Sequence, residues 1–179
     1  YTPADFEKEP EAAPPDESCF EAVDALIREF GRDRYMMGPS GHEVGIFLLE
    51  GNIEEGGEGF IYGLMQYLDN PQTVKAAIRY ETLKNNQMDK YFIRPGQDAV
   101  GWGQDFASTQ GPFISPEMFR EFNLPAIRSR VKNIHENYRL PVLKHACGNN
   151  TRLLDMFVEA GYDAYQSIQK SAGLDLSAI

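Results

Sequence analysis

Cysteine is nearly absent from this chain: Cys19 and Cys147 are the only two in 179 residues. Two are too few for a disulfide framework, and they fall far apart in the chain, so the sequence fits a reducing compartment. Histidine is scarce as well, with three. Positive charge is in deficit: 17 Lys and Arg face 27 Asp and Glu, a formal charge of −10. That balance argues against nucleic acid, whose affinity comes from neutralised phosphates. No apolar run approaches the roughly 20 residues of a bilayer-spanning helix, and the opening YTPADFEKEPEAAPPDES is acidic and proline-rich rather than basic then apolar. These absences predict a soluble, cytoplasmic protein with neither nucleic acid nor membrane as partner. The chain also lacks an initiating methionine and ends on GLDLSAI without a terminating signal, so the expectation is part of something longer.

What is present is enough for a core. Hydrophobic residues make up 42% and aromatics 12%, the composition of one globular domain. Residues 1–15 read as an extended, solvated lead-in, with Pro3, Pro10, Pro14 and Pro15 among acids and no apolar period. Ser18 and Glu21 fit a capping box for a helix that carries Phe20, Val23, Leu26, Ile27 and Phe30 and stops at Gly31. RYMMG reads as a short buried strand. GEGFIYGLMQYLDN places Phe60, Ile61, Leu64, Met65 and Leu68 on one helical face, and Asn70 with Pro71 opens a second helix running towards Gln87 or Tyr91. DAVGWG, Asp98 to Gly103, is the next strand. Ser115, Pro116 and Glu117 open a helix carrying Phe119, Phe122, Ile127, Val131 and Ile134, with a kink expected at Pro125.

A strand from Pro141 to Cys147 follows, then a helix from about Thr151 to Ala160 with Asn150 as N-cap and Gly161 just beyond its end, then a strand from Asp163 to Ile168. Strands alternating with helices are the pattern of an α/β fold around a parallel sheet.

The chemistry concentrates in LPVLKHACGNN, Leu140 to Asn150. Side chains on a strand alternate faces, so Leu143, His145 and Cys147 share one face and Val142, Lys144 and Ala146 the other. His145 and Cys147 therefore sit with Cα atoms roughly 6.5–7 Å apart. Zinc takes an imidazole nitrogen at about 2.0–2.1 Å and a thiolate at about 2.3 Å, so the pair offers half of a tetrahedral site. The alternative is a buried cysteine acting as a small hydrophobe beside a hydrogen-bonded histidine. Lys144 faces the helical layer and is expected to run its stem out to water.

In parallel α/β folds the strand C-termini carry the site, and further candidates fall at the same rim. Asp105 is read as a metal ligand, an orienting group or a base, against the alternative of a loop cap. Gln110 shares its loop. His42 and Glu43 follow the RYMMG strand and are candidate substrate contacts, with a solvated loop as the alternative. Gly148 and Asn149 begin a turn whose following helix offers backbone N–H groups to an anion, against an ordinary asparagine-capped turn. Trp102 is assigned to packing and His135 to an exposed helix end.

GQDFASTQGPFISPEMFREFNLPAIRSRV followed by LPVLKHACGNNTRLLDMFVEAGYDAYQSI resembles the central to late part of the uroporphyrinogen decarboxylase superfamily. The resemblance is close over about Asp98 to Leu176 and looser before it. It implies a TIM (β/α)8 barrel, of which residues 16–179 would hold only part. A half barrel would expose strand edges and one core face, so a longer chain or self-association is expected.

The resemblance also divides the functional expectations. The superfamily's cobalamin-dependent methyltransferases bind zinc through His-x-Cys and a later cysteine. Carried over, this makes His145 and Cys147 zinc ligands and implies a corrinoid (methylcobalamin) protein as partner; the later cysteine has no counterpart in these residues. Methyl transfer between the corrinoid and a thiol or a methylated small molecule is the leading expectation. The decarboxylases, the alternative, need no metal and use an arginine-rich N-terminal segment and an essential aspartate that have no counterpart here, which leaves Asp105 a supporting role. A non-catalytic assembly module is the third reading.

Overall fold

A computed structural model of the chain describes residues 1–45, 57–175 and 177. After a 3-10 turn (Glu17–Phe20) come helix α1 (Glu21–Phe30), strand β1 (Met37–Gly38), helices α2 (Gly57–Asp69) and α3 (Pro71–Phe92), and strand β2 (Ala99–Gly103). A small hairpin, β3 (Ala107–Ser108) and β4 (Gly111–Pro112), precedes a long helical stretch. That stretch consists of α4 (Pro116–Met118), a π-helical turn (Phe119–Asn123) and α5 (Leu124–Tyr138). Strand β5 (Val142–His145), helix α6 (Leu154–Ala160) and strand β6 (Ala164–Gln166) follow.

Strands β1, β2, β5 and β6 hydrogen-bond in that order, every pair parallel. Spatial order follows chain order without reversal. Among the described strands the order never turns back, as it would at the switch point of a doubly wound sheet. The expected α/β class with a parallel sheet is therefore observed. Among the described residues no helix is long and apolar enough to cross a membrane.

Local chemistry explains the long helix. Ser115 Oγ accepts from Met118 N–H at 3.2 Å and Pro116 occupies the first turn, where a missing donor costs nothing. The kink expected at Pro125 takes the form of the π-helical turn just before it: Leu124 N–H reaches back to Phe119 O, re-spacing the ladder where proline removes a donor. Phe119, Phe122, Ile127, Val131 and Ile134 all turn inward as their spacing predicts. Phe106 packs edge-on to Phe119 at 5.1 Å and lies 5.9 Å from Phe157, joining the loop after β2 to this helix and to α6.

Five expectations change. The buried strand read in RYMMG shrinks to Met37–Gly38, with Met37 exposed. Asp16, not Ser18, caps the first helical turn, its carboxylate accepting from Ser18 N–H at 2.9 Å. The face of α1 remains open at Leu26 and Phe30. Helix α2 is rotated so that Tyr67 meets the core, its ring 5.0 Å from Phe122, while Ile61, Met65 and Leu68 are exposed. One large amphipathic ring has displaced the aliphatic stripe at the contact. Residues 1–15 are neither wholly extended nor free in solvent: Pro3–Phe6 forms a 3-10 turn, Phe6 packs at 5.9 Å from Tyr80 of α3, and Ala12 N–H donates to Gln87 Oε1 at 3.1 Å.

A fully buried ion pair locks α3 to α5. Arg130 holds Asp89 through both guanidinium nitrogens, at 2.5 and 2.9 Å, and also donates to Gly41 O, His42 O and Asn86 Oδ1. Its planar fork fills every donor position and stacks 5.1 Å from the centre of Trp102. Arg130→Met would strand the Asp89 carboxylate in a dry interior, and it is expected to lower the unfolding free energy by about 3–5 kcal/mol. Urea unfolding of the variant beside the wild type measures the loss.

Candidate functional site

Strand register assembles the site. β2 pairs with β5 so that Gly103 stands opposite His145. Two residues further along each strand, Asp105 and Cys147 come together, and Cys147 N–H donates to Asp105 Oδ1 at 2.7 Å. Cys147 Sγ lies 3.4 Å from His145 Nε2. Ligand atoms of Asp105, His145 and Cys147 all fall within 4.8 Å of one another.

The alternation read from the sequence holds through the whole stretch from Val142 to Asn150, every second residue buried. His145 and Cys147 stay partly open because they point to the side of the sheet away from the helices. Register with β6 adds a group that the sequence did not point to: Gln166, opposite His145, accepts from the imidazole at Nδ1. An amide oxygen only accepts, so with that oxygen facing the ring the neutral imidazole would carry its proton on Nδ1 and turn the Nε2 lone pair towards Sγ.

Behind the cluster lies a buried polar network. Lys144, on the helix side of β5, does not run out to water as its lone position suggested. Its ammonium pairs with Glu43 at 2.7 Å, donates to Gln104 O at 2.5 Å and lies 4.3 Å from the centre of the Phe106 ring. Glu43 also accepts from Gln104 N–H at 3.2 Å and from the Tyr162 hydroxyl. Glu43 is thus no solvated loop residue, and its carboxylate is spent inside the protein rather than offered to a substrate. Burial pushes the Glu43 carboxyl up and the Lys144 ammonium down, with their mutual attraction opposing both shifts. Burial, then the neighbouring Glu43 charge, holds the Tyr162 phenol well above its usual value.

The remaining candidates separate. His42 is exposed, and among the described residues its backbone rather than its ring is engaged, by Asn85 and Arg130. Gln110 is exposed at the β3–β4 turn, where its N–H donates to Ser108 Oγ at 3.1 Å; among the described residues no hydrogen bond joins it to the Asp105 cluster. Asn149 caps the turn after β5, its Oδ1 accepting from Thr151 N–H at 3.3 Å and Thr151 Oγ1 at 2.8 Å. Asn150, expected as the cap, points inward and donates to Cys147 O at 2.8 Å. Gly148 has φ +84, and a Cβ there would overlap Ala107 O, so only glycine lets this turn tuck under the β3–β4 hairpin. Trp102 is buried, as assigned, with Nε1 donating to Ser40 Oγ at 2.7 Å. His135 is only partly exposed and holds Asp163 at 2.8 Å, tying the end of α5 to the strand layer.

Glu43 and Lys144 lie 101 residues apart in sequence, so nothing local announces the pair. The one available signal was a lysine in phase with Val142 and Ala146.

Comparison with known proteins gives two positive findings. Residues 1–175 match the family model described as Uroporphyrinogen decarboxylase (URO-D). The solved structure of a methyltransferase from Methanosarcina mazei superimposes with a TM-score of 0.57 at 16% identity, covering 95% of this chain and 52% of that one. At that identity the likeness is one of fold, and the chain spans about half the length of that structure. No curated protein sequence matches it.

The Tyr162 phenol supplies a pH test. The folded state keeps its proton after the unfolded chain has released it near 10.0, so stability falls as pH rises beyond that value towards the higher folded pKa. Tyr162→Phe removes the ionisation, and denaturant unfolding between pH 8 and 11 should show a shallower alkaline decline for the variant; equal slopes would disprove the linkage.

Proposed function

Because the chain belongs to the uroporphyrinogen decarboxylase family, we propose that it forms part of a zinc-dependent methyltransferase acting between a corrinoid protein and a thiol or methylated small molecule. The observation that carries this reading is the convergence of Asp105, His145 and Cys147 within 4.8 Å at the C-terminal ends of parallel strands. An imidazole nitrogen, a sulfur and a carboxylate oxygen suit zinc, and three protein donors with a further position open are the pattern of catalytic rather than structural zinc sites. His145 presents the unprotonated Nε2 that such a site needs, with Gln166 orienting the ring from the other side.

Zinc bound to these residues would lower the pKa of a substrate thiol, or polarise a methyl-bearing heteroatom. The chain's own contribution is positional. Cys147 and His145 share one strand face, Asp105 is fixed against Cys147 N–H, and the Gly148 turn keeps the hairpin close behind them. The four strands are read as half of a (β/α)8 barrel. Two features support that: their one-way order and the half-length match to the methyltransferase structure. The exposed edges at β1 and β6 are where further strands would add.

A second reading, a metal-free decarboxylase, is favoured by the description of the family model and by the exposed Asp105 carboxylate at the rim. Metal analysis of the intact protein decides. The expected result is about one zinc per chain, lost in the His145→Ala, Cys147→Ala double variant. Metal-free protein that consumes uroporphyrinogen would replace the methyltransferase reading with the decarboxylase one.

A further inference from the structure

Strand β5 carries two functions on its two faces. Towards the open side it presents His145 and Cys147; towards the helices it presents Lys144, fully buried. The Lys144 ammonium and the Glu43 carboxylate grip the same peptide segment from both of its polar groups: Glu43 Oε2 accepts from Gln104 N–H at 3.2 Å and Lys144 Nζ donates to Gln104 O at 2.5 Å. Gln104 immediately precedes Asp105. Phe106, immediately after it, is buried with Lys144 over its ring. Asp105 is therefore an exposed residue between two anchored ones, and among the described residues its carboxylate has one hydrogen bond, from Cys147 N–H.

We propose that the buried Glu43–Lys144 pair is a positioning element that sets the Asp105 carboxylate against Cys147, completing the donor set from behind. The proposal rests on the reading of Asp105, His145 and Cys147 as one donor set. Two oppositely charged, buried groups satisfy the N–H and the C=O of Gln104, one in each of its two flanking peptide units, so the backbone there cannot slide or rotate without leaving a charge unpaired. A loop after a parallel strand is ordinarily free to vary in conformation; here both backbone polar groups of its first residue are held by buried charges. Asp105 and Lys144 act as a linked pair through Gln104, although they do not touch. Tyr162, donating to the other Glu43 oxygen, fixes the carboxylate plane.

The test uses the intact protein and the variant Glu43→Gln, Lys144→Met, which removes both charges with little change in volume. Zinc affinity is measured by chelator competition and donor geometry by the cobalt(II) spectrum, in this background and with Asp105→Asn added. A positioning role predicts about a 10–100-fold loss of zinc affinity, a changed cobalt spectrum, and little further loss on adding Asp105→Asn. Unchanged affinity, or an Asp105→Asn effect equal in both backgrounds, would overturn it. A metal-independent readout separates this proposal from the reading beneath it: hydrogen exchange at the Cys147 amide should quicken about tenfold in the charge-free variant, as its hydrogen bond to Asp105 is lost. If the wild type binds no zinc, the donor-set reading falls, and the Cys147 amide alone decides whether the pair positions Asp105. Should the double variant fail to fold, Glu43→Gln carries the same comparisons, since it keeps an acceptor for Gln104 N–H but strips the charge.

Discussion

The parallel register between β2 and β5 is the constraint on which the site depends. With Gly103 opposite His145, the second residues beyond each strand meet at a fixed offset, and Asp105 has to arrive beside Cys147. A slip by one residue would turn Cys147 to the helix side and Lys144 to the open side, exchanging a ligand for a cation. Burial of Val142, Lys144 and Ala146 on the helix side forbids that slip, so the core enforces the chemistry at the rim.

The same strand shows how a polar interior supports an exposed cluster. Lys144 would be costly in this position alone; matched by Glu43, Gln104 O and the Phe106 ring it becomes a fastener. The Arg130–Asp89 pair does similar work one layer out, gripping the carbonyls of Gly41 and His42 and so fixing the segment that delivers Glu43. The two networks meet at that segment, and neither contributes an atom to the open face.

Much of this was legible in the residues themselves. Period-two alternation in PVLKHAC placed His145 and Cys147 together, and Ser-Pro-Glu located a helix start, because both signals are local and each has one dominant solution. The inward face of α5 was readable for the same reason. What was not legible required contacts across long sequence separations. Glu43 read as a loop acid because its partner lies on another strand, and Gln166 carried no signal until β6 paired with β5. The rotation of α2 towards Tyr67 was hidden because an aliphatic stripe and an aromatic residue compete for one surface, and only the shape of the core around Phe122 decides. The cap fell to Asn149 rather than Asn150 because adjacent asparagines at a turn are equivalent until the backbone fixes which one faces inward.

The placement of the ion pairs has a consequence for how the molecule responds to electrolyte. Arg130 and Asp89 are shut away from solvent, whereas Arg120 and Arg128 clasp Glu159 at the surface. Dissolved ions screen the second set and hardly reach the first. Raising ionic strength will therefore weaken the surface clasp between α6 and the long helix while the charge pair between α3 and α5 stays intact, giving the two sides of one helical layer different tolerance to brine.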